Sequence, residues 1–206
     1  IMSFAYGLAV FLLVLMFAFD ADERPIGDAI LFRLKNLLAI FTAAILYFTI
    51  AYHLTNLYAT ENHAYEAFIL LNGGIYTQLF WGGWIFVGCL LPLGLLYHPA
   101  WGKSRAGIIA ASVMVILGGL SAMYVIIIGG QAFPMAIFPE KTIIESGFFD
   151  GVGGAVAAYS PSLPEALLGI GGIAIALLVT MVGIRLLKFL PLSLADEVID
   201  PHHAKG

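Results

Sequence analysis

The stretch NLLAIFTAAILYFTIAYHLTNLYAT, residues 36–60, decides the fold, because it contains no charged side chain from Asn36 to Thr60. At about 1.5 Å of rise per residue, a helix of that length crosses a hydrocarbon core of roughly 30 Å. Apolar residues recur all round it instead of alternating, which excludes the strand of a membrane barrel. Four more uncharged stretches follow the same logic, at 1–19, 67–102, 106–139 and 166–184. Together they predict an all-α polytopic transmembrane helix bundle of about five helices, at 2–19, 36–58, 76–97, 107–129 and 166–187.

Composition agrees with a chain that lives in lipid. Of its 206 residues 61% are hydrophobic and 11% charged, where a soluble domain has about 45–50% and about 25%. One cysteine leaves no disulfide framework, thiolate zinc site or cysteine-held iron–sulfur cluster. A net charge of −4 offers no basic surface to nucleic acid. The chain starts Ile1-Met2-Ser3-Phe4 inside an apolar run, with no basic leading region or cleavage site; this predicts a fragment of a longer protein.

The few charges also orient the chain. Five crossings place Arg24, Arg33, Lys35, Lys103, Arg105, Arg185, Lys188 and Lys205 on one side and Lys141 on the other. The positive-inside rule makes the first side, with the C-terminus, cytoplasmic. Residues 1–35 are then a first span with its cytoplasmic loop, 36–190 a four-helix bundle with a long outer loop at 130–165, and 191–206 a cytoplasmic tail. The outer loop holds Pro134, Pro139, Pro161 and Pro164 with Gly147, Gly151, Gly153, Gly154 and the pair Phe148-Phe149. A loop so long is expected to cap the bundle, with a short interfacial helix near 140–149. Small residues spaced by four, Gly118/Ala122 and Gly172/Ala176, predict close helix packing. Pro92 cannot donate to the Gly88 carbonyl and predicts a kink in the third span. Trp81, Trp84 and Trp101 are expected at the membrane interfaces.

No Asp, Glu, Lys or Arg lies deep in a predicted span, so a midplane carboxylate relay has nothing to build on. The polar residues that remain cluster on the second span. Thr42, Thr49, His53, Asn56 and Thr60 recur at helical spacing on one face. Such a stripe can hydrogen-bond a quinone carbonyl or pass a proton, since His changes charge near neutral pH; it can equally bond a neighbouring helix or face headgroups. Glu61, His63, Glu66, Tyr76, Gln78, Tyr124 and Gln131 gather at the outer mouth. A carboxylate beside a histidine there can shuttle protons, while outer acids commonly stay solvated. The histidines do not form a facing pair at one depth, which argues against a haem, and His202-His203 lacks further metal ligands.

The runs Tyr52-His53-Leu54-Thr55-Asn56-Leu57-Tyr58, Glu66-Ala67-Phe68-Ile69-Leu70, Tyr76-Thr77-Gln78-Leu79-Phe80-Trp81 and Leu90-Leu91-Pro92-Leu93, with the helix end Gly118 to Gln131, resemble the second half of the NrfD/PsrC family of membrane subunits. The likeness covers about residues 36–190 and is strongest to the DsrP-like branch. It implies the second bundle of an NrfD-like fold, without haem, in a bacterial or archaeal inner membrane. It also implies an integral membrane anchor of a quinone-linked respiratory or sulfur-metabolism oxidoreductase. The partners implied are a ferredoxin-like iron–sulfur subunit and a further molybdopterin enzyme or multihaem cytochrome, with menaquinone or ubiquinone as the exchanged species. His53, Asn56, Tyr124 and Gln131 are the candidate lining of a quinone or proton path; no catalytic or metal residue is assigned. A transporter or channel half and a purely structural anchor are the alternatives.

Overall fold

The uncharged stretch 36–60 forms most of a longer helix in the computed structural model, which describes residues 1–133, 150–151, 155–156, 160–187 and 190–199. The helices are α1 (Met2–Ala21), α2 (Asp28–Tyr58), α3 (His63–Ala67), α4 (Ile75–Tyr97), α5 (Arg105–Ala132), α6 (Leu163–Leu187) and the single turn α7 (Asp196–Ile199). Among the described residues, five helices are long and apolar enough to cross a membrane: α1, α2, α4, α5 and α6. The predicted spans are all present. A two-residue antiparallel pairing joins Asp150–Gly151 to Ala155–Val156. The expected interfacial helix at 140–149, the aromatic pair Phe148-Phe149 and His202-His203 lie outside the described residues.

The second span begins at Asp28 instead of residue 36. Its early turns carry Arg33 and Lys35, and long cationic side chains can lie along a helix while their heads reach polar groups. Lys35 Nζ does so, donating to the Leu96 carbonyl at 3.2 Å. Charge therefore marks the edge of the hydrocarbon but not the end of the helix.

Contacts at one end of the bundle show which connections share a face. Arg105 donates to the Ile26 carbonyl at 2.7 Å and lies 3.3 Å from Asp28. Arg24 donates to the carbonyls of Leu190 and Pro191 at 2.9 and 3.0 Å. The α1–α2 connection, the start of α5 and the segment after α6 are thus together on what we call the basic face. Residues 190–199 act as a strap on it: Gly27 N–H donates to Leu194, Leu194 N–H donates to Pro25, and Asp196 accepts from the Ala29 N–H at 3.0 Å. Gly27, the residue before α2, has no capping side chain of its own, so a carboxylate far along the chain satisfies one of the donors that open the helix.

Two apolar clusters fill the bundle. Leu12, Phe19, Leu31, Leu38, Leu96, Ile108 and Val115 pack toward the basic face. Ala5, Ile45, Phe68, Ile69, Phe80, Trp84, Cys89 and Val125 pack toward the opposite end. The helices approach most closely where α4 crosses α5. A Cβ on Gly88 would lie 2.6 Å from the Gly118 Cα, and one on Gly118 would strike the Gly88 backbone. Just ahead of Pro92, Leu79–Leu90 winds in wide i→i+5 turns, with Leu91 N–H bonded to the Phe86 carbonyl. Regular α-helix resumes at Leu91–Tyr97, with Pro92 in its first turn, where its missing N–H is least disruptive.

Trp84 does not mark an interface. It is 4% exposed within the second cluster, with its ring centroid 5.5 Å from that of Phe80. Trp81 and Trp101 are exposed. Gly172 and Ala176 also fail to pack: among the described residues, a Cβ on Gly172 meets nothing within 4 Å, and no residue of α6 is buried.

A buried carboxylate, imidazole and amide as candidate functional site

The polar stripe on α2 faces inward, as its spacing requires. Thr42, Thr49 and His53 are buried, Asn56 is half-buried and Thr60 borders the turn that follows. What meets the stripe comes from the connection between α2 and α4. After a short turn at Thr60–Asn62, α3 folds back against α2 and continues through wide turns over Phe68–Asn72. Phe68 and Ile69 enter the core. Gly74, at φ +58°, reverses the chain into α4, a conformation glycine adopts without a Cβ penalty.

This fold-back corrects the reading that leaves Glu66 in solvent. Glu66 is fully buried. Its Oε2 lies 2.6 Å from His53 Nδ1, and its Oε1 accepts from Asn56 Nδ2 at 2.8 Å. A buried carboxylate is stable only when paired and hydrogen-bonded, and here both oxygens have partners. The imidazole edge rests against Phe80, with ring centroids 4.8 Å apart. Nδ1 faces Glu66, so Nε2, on the far side of the ring, is the nitrogen that can meet a ligand.

The remaining candidates do not join that cluster. Tyr124 stacks on Tyr76, with centroids 5.9 Å apart and planes at 23°. Gln131 is exposed on the last turns of α5. Tyr76 also touches Phe68 at 5.4 Å, and Phe133 packs between Phe68 and Tyr65. Burial, with Tyr52 and Glu66 adding to it, pushes the Tyr65 hydroxyl above its ordinary range. Tyr65 therefore stays protonated at neutral pH and acts only as a neutral hydrogen-bonding group.

Two further histidines bond to nearby backbone. His63 Nε2 bonds the Leu57 carbonyl at 2.7 Å, and His98 Nδ1 accepts from the Ala100 and Trp101 N–H groups at the end of α4. Among the described residues, no three His, Cys, Asp or Glu side chains come together as a metal site.

The burial of Glu66 had a signal in the sequence. It is followed closely by Phe68-Ile69-Leu70-Leu71, an apolar run too short to cross a membrane but well suited to returning into a core.

The chain is similar in sequence to two curated relatives. The chain is 26% identical over 196 residues to the Hdr-like menaquinol oxidoreductase integral membrane subunit of Archaeoglobus fulgidus, an alignment that takes in 94% of this chain and 48% of that protein. It is also 26% identical over 181 residues to a selenate reductase subunit of Mesobacillus selenatarsenatis, with 85% of this chain and 39% of that one aligned. The chain thus spans less than half the length of either relative. No solved structure matches it significantly. The family described as "Polysulphide reductase, NrfD" matches residues 1–135. The match takes in α1, which the expected range of 36–190 leaves out, and it ends soon after α5. With most of the chain covered, and with the Glu66 fold-back, α4 and the α4–α5 crossing all inside the matched stretch, this chain belongs to the NrfD family of membrane proteins.

Proposed function

We propose that this chain is part of an integral membrane anchor subunit of a quinone-linked oxidoreductase complex, and that His53 and Glu66, positioned by Asn56, exchange protons with quinol. Three lines support the reading: membership of the NrfD family, the likeness to a menaquinol oxidoreductase membrane subunit, and the site's donor set. The observation that carries it is the 2.6 Å contact between His53 and the fully buried Glu66.

Oxidising a quinol releases two electrons and two protons. The electrons leave to a redox centre in a partner, for which a ferredoxin-like iron–sulfur subunit is the natural candidate, itself coupled to a molybdopterin enzyme or multihaem cytochrome. The chain's own residues handle the protons. His53 Nε2 accepts the first from a ring hydroxyl as its Nδ1 proton shifts toward Glu66, with Asn56 holding the carboxylate in register; the second follows the same route once the pair has passed the first outward to water. In quinone reduction the same bonds run in reverse. Tyr124 and Gln131 line the approach on α5. The ring is a menaquinone or ubiquinone, the membrane a bacterial or archaeal inner membrane, and the basic face with the C-terminal strap is cytoplasmic.

His53→Ala or Glu66→Gln in the intact complex tests this reading. A positioned acid–base group contributes about 10²–10⁴-fold, so quinol-linked turnover is expected to fall by at least about a hundredfold in assembled complex. Unchanged turnover would leave a purely structural anchor.

A further inference from the structure

Hydroxyls on these helices follow a common habit. Thr42, Thr55, Ser121 and Thr180 each donate to the carbonyl four residues back, at 2.8, 2.8, 3.1 and 2.8 Å, which satisfies the group within its own helix. Thr49 breaks the habit. Its Oγ1 is buried without a partner among the described residues, and the residue is 3% exposed. Trp84 stands out likewise: Trp81 donates its indole N–H to the Leu70 carbonyl at 2.9 Å, but the buried Trp84 Nε1 has no acceptor among the described residues. Buried polar groups are rarely left unpaired.

The two orphans share one interval. α2 and α4 run antiparallel, and His53 touches Phe80. One turn inward from His53 on α2 is Thr49; four residues inward from Phe80, within the wide turns of α4, is Trp84. Just beyond, Ile45 and Cys89 belong to the same cluster as Phe80 and Trp84. Thr49 and Trp84 are therefore bracketed by neighbours on both helices, and on α2 the four residues from His53 to Thr49 are about 6 Å of helix rise. Ser112, also buried without a partner among the described residues, lies six residues toward the basic face from the Gly88–Gly118 crossing and outside this interval.

We infer that Thr49 Oγ1 and Trp84 Nε1 form the inner pole of the His53–Glu66 site and together hold one carbonyl oxygen of the quinone ring, whose opposite oxygen faces His53. The inference rests on the quinone reading above and adds an asymmetry to it. The outer pole can take or give a proton. The indole N–H of the inner pole can only donate, so that pole fixes the ring and favours a carbonyl there over a hydroxyl.

The test is equilibrium binding of 2,3-dimethyl-1,4-naphthoquinone to the intact complex, with the thermal midpoint measured with and without it. Thr49→Val keeps the shape and removes the hydroxyl; Trp84→Phe removes the N–H. Each is expected to weaken binding about tenfold, one hydrogen bond's worth. The probe-free midpoint after Thr49→Val should stay level or rise, because an unsatisfied buried donor has been removed. Thr49→Ser should bind as the parent does. Unchanged affinity in Thr49→Val, or equal weakening in Thr49→Ser, overturns the inference. If His53→Ala abolishes binding while Thr49→Val and Trp84→Phe do not weaken it, the inner pole falls and the outer one stands. If the parent complex does not bind the probe, the quinone reading falls with it.

Discussion

Helices α5 and α6 are both long and apolar enough to span a membrane, and both carry glycine and alanine four residues apart. In α5 Gly118 meets the Gly88 backbone, Gly119 lies under the Tyr6 ring, and Ala122 is fully buried. In α6, among the described residues, Gly169, Gly171 and Gly172 meet nothing within 4 Å. A small residue allows close approach but does not cause it. What makes the α4–α5 crossing is a second glycine at the matching height on the other helix, and that pairing cannot be read from either helix alone.

The comparison can be broken first at the crossing. Gly118→Leu should destabilise the protein by roughly 3 kcal/mol or more, since the new side chain meets backbone that cannot rotate away. Gly172→Leu should shift stability by no more than about 0.5 kcal/mol. Thermal midpoints in detergent, with membrane accumulation, read both; equal loss in the two variants would remove the distinction between the helices.

A second, comparable effect is expected from the polar knot that locks α3 to α2. Glu66→Ala strands a buried imidazole and amide, and breaking such a pair costs about 3–5 kcal/mol. Proteolysis at the α2–α4 connection should rise in this variant. The smallest effect belongs to the strap, which holds the chain after α6 to the rest. Asp196→Ala removes the cap on α2, at about 1 kcal/mol. Faster amide exchange confined to the first turn of α2 and residues 190–196 would confirm the tether; no change would show that Arg24 alone suffices.

The spans were legible because solvation forbids charge in hydrocarbon, so the gaps between charges outline the bilayer. Helix ends were less so: Arg33 and Lys35 look like a loop in sequence, yet continue α2 by reaching out along it. His53 and Asn56 stand out from periodicity. Their partner does not, because Glu66 lies in a connection and periodicity says nothing about which connection folds back. Tyr124 and Gln131 share the same end of α5, yet nothing in their spacing tells that Tyr124 stacks on Tyr76. Trp84 misleads because tryptophan is common at membrane interfaces, whereas here it sits one turn too deep.

Delivering Glu66 from a connection has a consequence for the cost of inserting the spans. An acid at the centre of a span adds about 2.5–3.5 kcal/mol to the work of inserting that helix. Neither α2 nor α4 bears this charge in its apolar stretch, so neither span carries that cost. The carboxylate comes instead from the connection between them, where α3 folds back onto α2. The buried carboxylate thus reaches the helix pair from the end of the bundle and adds nothing to the apolar stretch of either span.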